Sequence, residues 1–178
     1  MPPTRRFALL GAFALALSGC ASAPPAPKEP IRPVDLVSAF QGHRVGQGQF
    51  RIWLTGEERK FSAVLNGRVT GIAGQRILTV TEDFAYDDGQ KDRLTWVFHQ
   101  TGPDHWSGKR EDTVGEAVVI EENGQIRLTY TADFKSLSGT NRLGFSDLIF
   151  AQPDGTIIND GIVSRSGFPD AAVRFVIR

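Results

Sequence analysis

An all-β fold, an antiparallel barrel of about eight to ten strands with a short N-terminal helix, follows from three features of the sequence. Nine short runs of β-branched and aromatic residues recur between turn residues. No ten-residue helical pattern separates them, so their connections are short and their pairing is antiparallel. Along the longer runs, apolar and polar side chains alternate, which gives each strand one aromatic-rich face and one polar face. A β-sandwich is the alternative architecture that periodicity leaves open.

Arg5 and Arg6 precede Phe7 to Leu17, which is almost purely apolar, and Leu17-Ser18-Gly19-Cys20 closes the segment. A basic start, a short apolar run and small residues before a cut make a secretory signal over residues 1–19, too short to persist as a spanning helix. The ending resembles the lipobox of bacterial lipoproteins. That resemblance implies diacylation of the Cys20 thiol, cleavage just before it and acylation of the new amine. Each buried methylene contributes about 0.8 kcal/mol and stable anchoring takes at least two chains, so three acyl chains would hold the protein on a membrane without a transmembrane helix. Ala21 is not the aspartate that marks inner-membrane retention in that resemblance. The implied location is the Gram-negative outer membrane, facing the periplasm.

Residues 20–33 combine the lipidated cysteine with a run of Ala, Ser and Pro, which reads as an extended, solvated tether. Residues 34–178 then suffice for a single domain with a sizeable core. Loss of Arg5 and Arg6 with the signal takes the formal charge from zero to about minus two. That balance gives no footprint for nucleic acid. Cys20 is the only cysteine, so with its thiol acylated no disulfide is available and packing alone must stabilise the domain.

Val34 to Phe40 has apolar residues at helical spacing, with Gly42 placed to end a short helix. The expected strands are Phe50–Thr55, Phe61–Leu65, Ile77–Thr81, Leu94–Phe98, Ala117–Ile120, Ile126–Tyr130, Leu148–Phe150, Thr156–Ile158 and Val173–Ile177. Asp88-Gly89, Asn123-Gly124 and Asp154-Gly155 fall where hairpins need positive φ. Asn66-Gly67 is ambiguous, since one bulged strand from Phe61 to Gly71 could cross it and turn at Ala73-Gly74. Leu94, Trp96 and Phe98 share a face opposite Arg93, Thr95 and Val97, while Leu128 and Tyr130 oppose Arg127 and Thr129. An up-and-down barrel uses such strands, and about eight enclose a core or one small ligand.

Thr81-Glu-Asp-Phe-Ala-Tyr-Asp-Asp-Gly89 with Arg93 and Trp96, and Thr101-Gly-Pro-Asp-His-Trp-Ser-Gly108 with Asp112, Val114, Gly115 and Ala117, carry a family resemblance. Pro153 to Asn159 and Val163 to Phe168 extend it. The chain resembles the bacterial lipoproteins grouped as domain of unknown function 3833, from about Phe40 to the end. The resemblance implies a lipocalin-like barrel and a lipid-anchored envelope location, and it brings no catalytic residues. Ser146-Asp-Leu-Ile-Phe150 departs from the acidic, tryptophan-rich strand expected of the family.

Several constellations carry candidate chemistry. Glu82, Asp83, Asp87 and Asp88 are dense enough in oxygen to suit calcium, but Glu82 and Asp83 point to opposite faces and Asp87-Asp88-Gly89 is what a hairpin selects. His99 and His105, beside Trp106, could supply a general base, yet neither has a second ligand or an orienting partner at motif spacing; His43 lies far away. Ser107-Gly108 and Ser138-Gly139 lack the nucleophile elbow. Gly46-Gln-Gly48 lacks the helix and third glycine of a dinucleotide loop, so these glycines are expected to let the backbone bend or pack closely against an aromatic as the barrel begins.

The aromatics are the main candidates for binding. Trp53, Phe84, Trp96, Phe98 and Tyr130 are expected to line the barrel, with Arg93 and Arg127 near a rim to meet a carboxylate or phosphate head. No cofactor and no metal is expected. The functional expectation is a non-enzymatic, lipid-anchored envelope protein that binds a fatty acyl or other apolar small molecule. Its alternatives are an accessory lipoprotein with a filled barrel that docks a protein partner, and a small-barrel enzyme using His99, His105 or Asp83.

Overall fold

The structure, a computed structural model, describes residues 23–28, 30–136 and 139–178. The signal segment and Cys20 lie outside the described residues. One short helix, α1 (Leu36–Phe40), is followed by ten strands: β1 (Gly42–Ile52), β2 (Glu58–Thr70), β3 (Ile77–Tyr86), β4 (Lys91–Gly102), β5 (His105–Lys109), β6 (Ala117–Glu122), β7 (Gln125–Ser136), β8 (Gly139–Ala151), β9 (Ile157–Arg165) and β10 (Phe168–Ile177). Each strand pairs antiparallel with its neighbour in sequence, and β1 pairs with β10 to close the ring. Closure removes the sheet edges and decides against the sandwich.

Nine of the ten strands grow from the expected runs; β5 does not. His105-Trp-Ser-Gly-Lys109 lacks a β-branched residue, and its pairing is supported instead by packing. A Cβ at Gly108 would lie 2.6 Å from the Phe98 ring, so the bare backbone of β5 is what lets that ring lie flat inside the barrel. β2 crosses Asn66-Gly67 in continuous register with β1 and β3 and turns near Gly74. The Asn123-Gly124 hairpin has positive φ at both residues, and Gly89 and Gly155 provide it in the other two turns.

The inward faces carry a chain of aromatic contacts. Phe61 meets Phe50, Phe84 and Phe175 at centroid distances of 5.4, 5.6 and 5.1 Å. The glycines of β1 make this possible: a Cβ at Gly46 would lie 2.5 Å from Phe175, and one at Gly48 would lie 2.3 Å from Phe61. These are the close approaches to aromatic rings expected of Gly46-Gln-Gly48.

α1 plugs one end of the barrel. Asp35 caps it through Ser38 in a reciprocal capping box, which sets the first helical residue at Leu36 rather than Val34. The Glu121 carboxylate accepts from both the Leu36 backbone N–H and the Trp106 indole, fastening the helix to β5 and β6. Leu36, Ala39 and Phe40 are buried beneath. The end of the expected tether is also tied down: Arg32 bridges to Ala151, and Ile31 packs on Leu148, Phe150 and Ile158 outside the barrel. The opposite end is the mouth, where the β1–β2, β3–β4, β5–β6 and β9–β10 connections lie.

Gly67 sits against the plug, where a Cβ would fall 1.8 Å from the Phe40 carbonyl oxygen. Backbone cannot swing aside as a side chain can, so Gly67→Ala is expected to cost about 1–3 kcal/mol. Urea unfolding at neutral pH checks this, and the loss should appear without any change at the mouth.

Candidate functional site

Inward and outward faces follow strictly from strand parity. On β3 the even-numbered Leu78, Val80, Glu82 and Phe84 face in, and on β8 the odd-numbered Phe145, Asp147 and Ile149 do. Each series therefore carries one acidic residue into an apolar interior. Between them is a cavity of about 90 Å³, lined by Val80, Glu82, Trp96, Arg110, Tyr130, Asp147, Asn159 and the aromatic rings.

Arg110 leaves the end of β5 and is 9% exposed. Its Nε and Nη2 donate to the two Asp112 carboxylate oxygens at 2.7 and 3.0 Å, and Nη1 reaches Glu82 Oε2 at 3.5 Å. The guanidinium carbon lies 4.8 Å from the Trp96 ring centroid and 5.3 Å from that of Tyr130, within cation–π range of both. A tight turn holds Asp112 in place: the Arg110 N–H donates to Thr113 Oγ1, the Thr113 hydroxyl donates to the Arg110 carbonyl, and the Asp112 carbonyl accepts from the Asp133 N–H of β7.

The two interior carboxyls are held toward the protonated form. Burial pushes Glu82 up to about 7 against the attraction of Arg110. Burial likewise pushes Asp147 up to about 7, although a hydrogen bond from Asn159 and the charge of Arg110 pull it down. Tyr130, half-buried among the interior rings, is raised well above its usual value by the same loss of hydration. Asp147 Oδ1 and Asn159 Oδ1 are buried and accept no hydrogen bond among the described residues. Gly161, the register partner of Asp147 on β9, makes the room: a Cβ there would lie 2.2 Å from Asp147 Oδ1. Gly161→Ala should therefore displace the carboxylate and cost about 1–3 kcal/mol, read as a lowered urea midpoint that Asp147→Ala in the same chain partly restores.

The sequence-predicted residues divide cleanly. Phe84, Trp96, Phe98 and Tyr130 line the interior. Trp53 does not: it follows the last residue of β1, donates its backbone N–H to Asp170 and is 50% exposed. Arg93 and Arg127 are not rim residues for a ligand head. Their odd numbers place them on the outer face, where Arg93 pairs with Asp83 and Arg127 with Glu122. His99 and His105 are exposed, and Asp88 pairs with Arg59 at the β3–β4 turn as a hairpin residue. The sequence reading missed Arg110, Asp147 and Asn159 and weighed Glu82 only as a metal ligand. The period-two alternation of β3 and β8 held the signal, since Glu82 and Asp147 fall at positions otherwise apolar.

A family profile described as "Protein of unknown function (DUF3833)" matches residues 14–178. The chain belongs to this family. No curated protein is similar to this DUF3833 member in sequence. Among solved structures, the S-type phycobiliprotein lyase CPES from Guillardia theta has a similar fold, with a TM-score of 0.54 over 78% of this chain and 86% of that one, at 7% identity. The likeness shows the lipocalin-like barrel as a fold. It also corrects the expectation of a non-enzymatic protein, because the neighbour is described as a lyase. The barrel is no mark of a non-catalytic role.

Proposed function

We propose that this DUF3833 protein is a lipid-anchored envelope protein, held through Cys20 on the outer membrane and facing the periplasm, whose barrel binds a small apolar molecule. The observation that carries the binding reading is the charged set around the cavity. An ion taken into a protein interior costs several kcal/mol even after relaxation, and apolar replacements are often as stable or more so. A barrel serving only as a packed core gains nothing from Glu82, Arg110 and Asp147 at its centre, whereas a binding site needs a few placed polar groups in an apolar wall.

The cavity of about 90 Å³ matches roughly three water molecules in the liquid. It falls short of the roughly 300 Å³ at which drug-sized ligand pockets begin. A fatty acyl chain would enter only if rings at the mouth move. Phe50, Phe84 and Phe134 are half-buried there, and Phe134 touches Phe50 and Phe145 at centroid distances of 5.6 and 6.4 Å.

Native mass spectrometry of the protein extracted from membranes tests the binding. One small molecule per chain is expected, and a clean apo mass that persists after incubation with apolar ligands would contradict it. The anchor is tested separately: Cys20→Ser should move the protein to the soluble fraction, and continued detergent-dependent partitioning would rule the anchor out.

A second reading is favoured by the two carboxyls held near 7. General acids and bases work best with pKa values near the operating pH, and such groups in a cavity suit proton transfer on a bound molecule. If the protein transforms its ligand, the molecule recovered from Glu82→Gln should differ from that recovered from the wild type in retention and fragmentation, which also separate isomers of equal mass.

A further inference from the structure

The geometry points to the chemistry of the ligand's polar end: Asp147 and Asn159 form a site for a protonated amine, the head of an otherwise apolar molecule bound in the barrel. This rests on the binding reading above and names the ligand class for the same cavity.

Three observations carry it. Among the described residues, Arg110 is the only cation lining the cavity, and its donors are directed at Asp112 and Glu82. A ligand carboxylate or phosphate would therefore find no free cation and would face Glu82 and Asp147 as well. Conversely, Asp147 Oδ1 and Asn159 Oδ1 line that cavity as buried acceptors with no protein donor. A buried acceptor left unmatched is costly, and a ligand N–H would recover that cost. Finally, β9 has glycine directly opposite Asp147, where any Cβ would collide with the orphaned oxygen. The backbone is shaped around a carboxylate that no cation among the described residues meets directly.

An ammonium head satisfies these conditions together. It offers several N–H donors to two acceptors, offsets the excess of carboxylate over guanidinium, and sits among aromatic faces that favour a cation. The apolar body would extend toward the mouth past Phe145 and Phe134.

The test compares three probes of equal length, hexylamine, 2-hexanone and hexanoate, binding to the intact protein at pH 8 by calorimetry. Hexylamine should bind at least tenfold tighter than 2-hexanone, and hexanoate more weakly than either. Asp147→Asn should reduce hexylamine to the level of the ketone, and Asn159→Leu should reduce it in part. Equal binding of all three probes, tighter binding of hexanoate, or an amine preference that survives in a folded Asp147→Asn would overturn the inference while leaving apolar binding in place. Failure of all three to bind would overturn both. The head-group preference of the wild type needs no variant, so a misfolded substitution does not spoil the test.

Discussion

Arg110→Met is expected to lower the unfolding free energy by about 3–5 kcal/mol at pH 8, the usual cost of removing one partner from a buried ion pair. Methionine fills similar volume, so little of the loss comes from a cavity. The loss comes from Glu82 and Asp112, side chains 9% and 13% exposed, which are left without the guanidinium that balances them. Trp96 and Tyr130 lose their cation as well. Two further measurements separate this cause from general disruption. Glu82→Gln in the same chain should restore a substantial part of the stability, because it removes the stranded charge. The loss from Arg110→Met alone should also shrink at pH 5, where Glu82 is protonated in any case. A cost that is the same at both pH values, and the same with and without Glu82→Gln, would show that the ion pair is not what Arg110 supplies.

The second large effect is a stability that rises as the solution is acidified from pH 8 toward pH 5. Glu82 and Asp147 both titrate near 7 in the folded chain because burial penalises their charge, and near 4 when unfolded. Between those values the folded state binds more protons than the unfolded state. Lowering the pH therefore favours folding, and the gain is complete only below the unfolded values. Each unit of displacement corresponds to about 1.4 kcal/mol, so the pair amounts to several kcal/mol across this window. Opposing groups set the acid limit. Hydrogen bonds from Arg93, Arg59 and Arg142 hold the carboxyls of Asp83, Asp88 and Asp133 below their ordinary value, and backbone and side-chain bonds from Thr156 do so for Asp154. Those contributions are present above about pH 4 and are lost below it. The stability optimum should thus fall near pH 5. Urea midpoints taken at half-unit intervals check this, and the double variant Glu82→Gln, Asp147→Asn should flatten the limb between pH 5 and 8. A wild-type profile already flat there would mean that these carboxyls are hydrated.

How much of this was legible in the sequence differs by level. The barrel was, because nine strand runs, three glycine turns and a period of two are local signals that closure does not contradict. β5 was hidden because its glycine serves a neighbour's ring rather than its own strand propensity. The aromatic lining followed from parity, so Phe84, Trp96, Phe98 and Tyr130 were found together. Trp53 was misplaced because its strand ends one residue earlier, at Ile52. Arg93 and Arg127 were assigned to a rim although parity already set them opposite the aromatics, where nearby acids neutralise them. The polar centre was the least legible part. Arg110 enters the barrel from the end of β5, which has no strand signal of its own, and Asp147 stands in a stretch that the resemblance marks only as a departure from its family. Its meaning depends on Asn159 and Gly161, brought beside it by pairing between β8 and β9. The proposed lipid anchor rests on residues outside the described region and is tested by the partitioning of Cys20→Ser.

Val80 lines the cavity, and phenylalanine there would occupy most of the free space of about 90 Å³ without adding a polar group. Wild type and Val80→Phe, extracted from membranes in parallel and weighed by native mass spectrometry, should differ by one small molecule per chain, present in the first and absent from the second. The same added mass on the two chains, whether one ligand on each or none on either, would place the function of this protein outside the barrel.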